Sequence, residues 1–353
     1  MTGSHALFEK VYVEKRAAAD EVTCRVFERL GNPEPEYIEH YKDVFDVRSK
    51  AGQPDSHKAD EAESSGGSRR QKSLILAHNS GRRIYEGAPV CQSFGNEHFY
   101  YTATVMNCLY DCEYCFLKGM YPSRDICIFT DIDETFRELD EIEKDHPAYV
   151  CASYNTDLVA LEDLTGYATR WCERVCSDDK LQVEIRTKCS RTDIYESLPV
   201  SERMIFAFTL SPDEIIRDYE KGASNLDGRL RAVRAAMKAG FRVRLCLDPM
   251  LYVRGWRDMY SEMIRKAAEE IKDLSSGGSG IKDISIGTFR ISDQYLKRMR
   301  KIYSDSQIIQ YPYICENGYY QYSEKVASQM EEHILALLNE SFRDVPIFNW
   351  RRG

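Results

Sequence analysis

Residues Asn107–Met120 read NCLYDCEYCFLKGM. Cys108, Cys112 and Cys115 follow a C-x3-C-x2-C spacing. Three thiolates this close can hold one soft metal centre, because sulfur is the favoured ligand of iron–sulfur clusters and zinc. A structural zinc closes with four ligands, whereas a site that performs chemistry keeps a position open. A [4Fe–4S] cluster on three cysteines leaves one iron for an outside ligand. The same offsets of 0, 4 and 7 would also put three small side chains on one helical face. Asn107, Asp111 and Glu113 interrupt such a face. A closed zinc module would need a fourth ligand, and the nearby Cys91 and Cys127 lack metal-site spacing to the triad.

Working outward, the chain has 353 residues, 43% of them hydrophobic, enough to build one large core or two smaller ones. Its apolar runs fall far short of the ~20 residues needed to cross a bilayer. The opening MTGSHALFEKVYVEKR has no apolar signal core, so a cytoplasmic location is expected and no membrane partner. Twelve cysteines then read as thiols or metal ligands, not disulfides. A net charge of −9 argues against a chain whose main task is gripping a nucleic-acid backbone. The basic clusters at 229–244 and 297–301 read as solvated helix faces.

Residues 1–50 predict an N-terminal helical segment, with helical periodicity over Val22–Leu30 stopped by Gly31 and Pro33. Residues 51–72, AGQPDSHKADEAESSGGSRRQK, hold no large apolar side chain and predict a disordered linker or loop. From 73 to 310, short β-branched runs alternate with helical stretches near Glu134–Lys144, Leu161–Val175, Arg229–Ala239, Arg257–Leu274 and Asp293–Tyr303. The strands are Ile126–Thr130, Tyr149–Ser153, Leu181–Thr187, Met204–Leu210, Phe241–Leu247 and Ile281–Gly287, after a first strand at Phe99–Val105. This pattern predicts an α/β fold, an open (partial) βα barrel of parallel strands. Chemistry in such barrels sits at the C-terminal strand ends, where the cysteine loop falls. Residues 311–353 predict a Tyr-rich hairpin turning at Asn317–Gly318, then a helix from about Glu324 to Leu338 and a strand-like VPIFNW.

The CxxxCxxC spacing, with aromatic Tyr114 just before its last cysteine, resembles the radical S-adenosylmethionine (SAM) superfamily. That resemblance implies a [4Fe–4S] cluster on Cys108, Cys112 and Cys115, with SAM chelating the fourth iron. One electron then cleaves SAM to a 5′-deoxyadenosyl radical, which abstracts hydrogen from the substrate. A one-electron reductant of flavodoxin or ferredoxin type is implied as partner. Dispersed segments also resemble the spore photoproduct lyase branch, in the same order: KSLILAHNSGRR (72–83), NTDLVALEDLTG (155–166), RTK (186–188), FTLS (208–211), DGRLRAVRAAMKAGFRVRL (227–245) and DPMLYVRGW (248–256). That branch reverses a methylene-bridged thymine dimer in DNA by carbon–carbon bond cleavage, and the lesion must leave the base stack to be reached.

Carried over by position, the resemblance implies that Tyr114 packs near the SAM adenine and that Asp157, Lys188 and Thr209 contact SAM. An ammonium at Lys188 suits the methionine carboxylate. Three positions depart from the lyases. Their hydrogen-donating cysteine, three residues before the Asp matched by Asp157, is Tyr154 here. Their tyrosine after the last cluster cysteine is Phe116. Their Arg-containing segment at the lesion matches Ile314–Tyr320, which has Glu316 and no Arg. Replacement donors are Tyr154, Cys246 and Cys315. Cys151 is a further thiol nearby, although an odd offset on a strand would turn it to the opposite face from Tyr154. The expected function is therefore a lyase-like radical SAM enzyme. Its substrate is DNA carrying the thymine dimer or, as the alternative, a modified nucleotide, RNA, a peptide or a metabolite.

Overall fold

The computed structural model describes residues 7–45, 71–88, 91–274 and 280–351. Most of the expected linker at 51–72 and the glycine-rich turn at 275–279 lie outside them. The N-terminal region holds β1 (Val11–Glu14), the predicted helix at Glu21–Leu30 and β2 (Glu36–Ile38). Gly31 ends that helix in the left-handed region, φ 76°, which a residue without Cβ adopts at little cost. The segment expected to be helical thus also supplies two strands. They pair in parallel, and β1 pairs with β3 (Leu74–Ala77). Next come β4 (Ile84–Glu86), β5 (Phe99–Thr102), β6 (Val105–Met106), β7 (Asp111–Cys112) and β8 (Ile126–Phe129). A five-stranded sheet runs β2-β1-β3-β8-β6. The Ile126 strand therefore belongs to this sheet, packed beside the N-terminal strands, and not to the barrel where its apolar run had placed it. The expected single strand at Phe99–Val105 divides between the two sheets.

The larger sheet continues through β9 (Ala148–Cys151), β10 (Leu181–Thr187) and β11 (Met204–Thr209). After the two-residue β12 (Glu220–Lys221) come β13 (Arg242–Met250) and β14 (Ile281–Thr288). Strands β15 (Arg290–Ser292), β16 (Ile314–Glu316), β17 (Tyr319–Gln321) and β18 (Ile347–Asn349) complete the list. The eight-stranded order is β18-β14-β13-β11-β10-β9-β5-β4, parallel throughout except at the β4–β5 edge. From β5 to β18 each barrel strand lies beside the next one in sequence. This singly wound order is that of an open βα barrel, because each crossover returns on the same hand and curls the sheet toward closure. Strands buried on both faces read as continuous apolar runs, and β11, MIFAFT, is buried at every position.

The crossover helices at Ile132–Glu143, Leu226–Lys238, Trp256–Ile271 and Asp293–Ile302 match the predicted stretches to within a few residues. The stretch predicted as one helix near 161–175 breaks at Gly166, φ 66°, into Glu162–Thr165 and Tyr167–Cys176. In the tail, β16 and β17 pair antiparallel through Asn317 (φ 49°) and Gly318 (φ 81°). Both central residues have positive φ, as a two-residue type I′ turn requires. The hairpin joins β15 at the barrel mouth, the closing helix spans Glu324–Ser341, and β18 adds to the barrel edge.

Candidate functional site

The cysteine segment is no helical face. Asn107 turns the chain at φ 68° and anchors it by donating Nδ2 hydrogen bonds to the carbonyls of Ser123 and Asp125, both 2.8 Å. Lys72 Nζ then donates to three successive carbonyls, those of Cys108, Leu109 (3.2 Å) and Tyr110 (3.1 Å). Asp111 is clamped by Lys118 (2.9 Å) and Arg124 (2.8 Å). β7 pairs antiparallel with β12, register Cys112 to Glu220, and only after the third cysteine does a short helix form, Leu117–Met120. An extended, side-chain-anchored loop leaves all three thiols facing one cavity.

That cavity has a volume of about 460 Å³ and opens at the C-terminal ends of the barrel strands. Cys108, Cys112, Cys115, Tyr114, Asp157, Lys188 and Thr209 all line it. Tyr154 and Cys151 line it as well, while Cys246 does not: it is fully buried within β13. Cys315 lies exposed on β16, outside the lining. The face argument against Cys151 fails for a local reason. β9 ends at Cys151 and the chain then turns, so strand alternation no longer separates Cys151 from Tyr154.

The buried polar groups of the site are held in a definite arrangement. Tyr114 donates its hydroxyl to Glu220, Ser211 donates to the same carboxylate at 2.9 Å, and Arg229 pairs with it in full burial. Burial works against the Glu220 carboxylate, but Arg229 and Lys188 outweigh it and lower its pKa. Arg229 also donates to the Thr209 carbonyl at 2.9 Å. Lys188 Nζ stands 5.7 Å from the centre of the Tyr114 ring. Burial alone would depress its ammonium, yet Cys112 and Glu220 hold the pKa above the usual lysine value. Asp157 accepts from the Lys188 amide (2.8 Å), the Ala160 amide (3.0 Å) and Thr187 Oγ1 (2.9 Å). Its carboxylate therefore ties the ends of β9 and β10 together and sets the direction of Lys188. Sequence reasoning missed Glu220, Lys72 and the Tyr154 contact of Cys91, because their partners lie far off in the chain, and it placed Arg229 on a solvated helix face although it is fully buried.

The trio suits a sulfur-held cofactor. Burial, reinforced by Asp157, pushes the Cys108 thiol up to about 12; burial does the same to Cys112, also to about 12. Such thiols ionise at neutral pH only beside a strong cation, as metal binding provides. Among the described residues no three His, Cys, Asp or Glu side chains converge closely enough to share one metal ion. Three soft sulfur donors lining one cavity are the kind of donor set that iron–sulfur groups prefer.

Several of the departures line the same cavity. Cys91 Sγ lies 3.4 Å from Tyr154 Oη. The Tyr154 ring packs on Tyr101 (centroids 4.2 Å apart) and on Phe116 (5.2 Å). Although Ile314–Tyr320 has no Arg, Arg290 on the neighbouring β15 lines the cavity, paired with Asp248 at 3.0 Å. Tyr319 of the hairpin lines it too.

Residues 97–347 match the family model for spore photoproduct lyase. The chain is 26% identical over 163 residues to the spore photoproduct lyase of Bacillus subtilis (strain 168), a match covering 45% of this chain and 48% of that protein. It is 24% identical over 174 residues to that of Geobacillus sp. (strain Y412MC61), covering 48% and 51%. The matches span about half the length of these curated relatives. Among solved structures, spore photoproduct lyase complexed with dinucleoside spore photoproduct superposes with a TM-score of 0.79 at 17% identity, covering 98% of this chain and 99% of that one. A variant of that lyase with bound AdoMet and dinucleoside spore photoproduct gives 0.77 at 18% identity, covering 97% and 98%. At such identities the likeness establishes a shared fold, and the family match spans most of the sequence. With its cysteine loop at the mouth of a singly wound barrel, the chain belongs to the spore photoproduct lyase family.

Proposed function

We propose that this chain is a radical SAM lyase that reverses a methylene-bridged thymine dimer. The observation that carries the reading is the meeting of the three cysteines with Lys188, Asp157, Thr209 and Tyr114 around one cavity. Cys108, Cys112 and Cys115 would hold a [4Fe–4S] cluster. When bound, cluster and SAM together supply the one-electron cleavage that yields the hydrogen-abstracting 5′-deoxyadenosyl group. Lys188 pairs its ammonium with the methionine carboxylate, and its direction is fixed by the Asp157 hydrogen bond to its amide. Thr209 would contact SAM, and Tyr114 would pack near its adenine. Aromatic residues Tyr101, Phe116 and Tyr154 shield the far side from water. Arg290 and Tyr319 stand at the mouth, where an extruded dinucleotide enters. The electron comes from a flavodoxin- or ferredoxin-type donor in a reducing cytoplasm, which the twelve free thiols suit.

A second substrate reading rests on the ionised wall of Glu184, Arg186, Asp248 and Arg290, which offers both signs of charge to a polar metabolite or peptide. Labelled candidate substrates separate the two, since deuterium enters 5′-deoxyadenosine only from the true one. The cofactor assignment is tested by anaerobic reconstitution with iron and sulfide. The wild type gains the broad absorption of a [4Fe–4S] cluster and forms 5′-deoxyadenosine with SAM and dithionite. The triple Cys108→Ala, Cys112→Ala, Cys115→Ala variant does neither, and a triple variant that still forms the nucleoside refutes the assignment.

A further inference from the structure

Bond scission in the dimer leaves a carbon radical on the substrate, which must receive a hydrogen atom before release. This inference rests on the function proposed above. The family position for that donor holds Tyr154 here, so a thiol donor has to stand elsewhere in the cavity. Outside the cysteine trio, the thiols lining the cavity are Cys91 and Cys151. Cys246 is enclosed in β13, and Cys315 is exposed outside the lining. Of the two, Cys91 is the one whose sulfur meets the replacing tyrosine, at 3.4 Å. Its amide donates to the Ala88 carbonyl at 2.8 Å.

We propose that Cys91 is the hydrogen-atom donor to the substrate radical and that Tyr154 is the relay that restores it. In the first step the C–H bond of the product forms, the Cys91 S–H bond breaks and the unpaired electron passes to sulfur. In the second, the Tyr154 hydroxyl gives its hydrogen atom to that sulfur. The S–H bond re-forms and the unpaired electron rests on the phenoxyl. Thiol S–H and phenol O–H bonds are of similar strength, so the transfer is close to thermoneutral. One electron from the donor that SAM cleavage already requires, and one proton from water, then return the phenol.

The surroundings support this division of labour. Burial holds the Cys91 thiol above its ordinary pKa, so it carries the hydrogen that the first step consumes. Tyr154 is flanked by Tyr101 and Phe116, whose rings keep solvent from a phenoxyl. The tyrosine that replaces the family's cysteine is then the partner of a cysteine brought in from another segment. The chemistry is kept with the thiol relocated.

Two measurements decide it. In cluster-free protein, the infrared S–H stretch of Cys91, assigned by its loss in Cys91→Ala, moves to higher frequency in Tyr154→Phe as its hydrogen bond is lost. In reconstituted protein, dinucleoside spore photoproduct is repaired in D2O. The wild type places one solvent deuterium in each repaired product. Cys91→Ala and the near-isosteric Cys91→Ser lower that incorporation at least tenfold, while Cys151→Ala leaves it unchanged. Tyr154→Phe keeps the label in the first turnover and slows later turnovers at least tenfold. An S–H band unmoved by Tyr154→Phe, or full solvent label in Cys91→Ala, overturns the inference and leaves the lyase reading intact. A wild type that forms 5′-deoxyadenosine but leaves the dinucleoside unrepaired overturns the proposed substrate, and the donor assignment with it.

Discussion

Lys188 carries the heaviest single demand among the site residues. It is a cation that lines the cavity with the cysteine trio, directed by the Asp157 contact to its own amide. Replacing it by Met keeps the aliphatic stem and removes the charge. SAM binding to the reconstituted protein should weaken at least tenfold, about 1.4 kcal/mol, as read by equilibrium dialysis. Unchanged affinity would show that the carboxylate is held elsewhere. The triad was legible in the sequence because its spacing is local, whereas Lys188 and the role of Tyr114 were carried over by position from the family resemblance. Cys91 was not, because its relation to Tyr154 exists only after a separation of 63 residues is folded away. Cys151 shares the cavity with Tyr154 because the two-residue alternation of a strand stops where β9 ends.

At the scale of elements, the cysteine loop depends on β12, a two-residue strand with no signature of its own. Glu220 there receives Tyr114, Ser211 and Arg229 at once. Glu220→Gln leaves the Arg229 guanidinium buried without its counter-charge. Loss of one partner of a buried pair costs about 3–5 kcal/mol. Thermal unfolding should fall by roughly 10 °C at the few degrees per kcal/mol typical of larger domains. A shift within a degree of wild type would show that the pair does not hold the loop. The barrel strands and their crossover helices were legible because each is a run of uniform period. The N-terminal strands were not, since three or four residues such as EYI carry no period to read. The apolar run at Ile126 revealed a strand, but no local feature tells which sheet a strand will join.

For the whole molecule, the singly wound order brings the loops after β9, β10, β11, β13 and β14 to one mouth, where the cysteine trio and Tyr154 line one cavity. Charge on the outer shell sets how the assembly tolerates acid. Burial, with Asp178 alongside, raises the Glu143 carboxyl from the usual carboxylate range to about 7, despite Arg174 at 2.7 Å. The folded state therefore binds this proton more tightly than the unfolded chain. Its contribution to stability is present in full below the unfolded value near 4.5 and is lost as pH rises through about 7. Melting temperatures of wild type and Glu143→Gln at pH 5 and 7.5 check the sign. The wild type should lose more stability than the variant over that interval, and equal losses would contradict it. Among the described residues no helix is long and apolar enough to cross a membrane.

The central claim is that this barrel mouth couples SAM cleavage to repair of a thymine dimer. The most direct measurement incubates the anaerobically reconstituted protein with SAM, dithionite and dinucleoside spore photoproduct, and follows both products by mass spectrometry. The account predicts 5′-deoxyadenosine together with the repaired dinucleoside, both lost in the triple cysteine variant. Intact SAM and an unrepaired dinucleoside, from protein that carries its full complement of iron and sulfide, would contradict it.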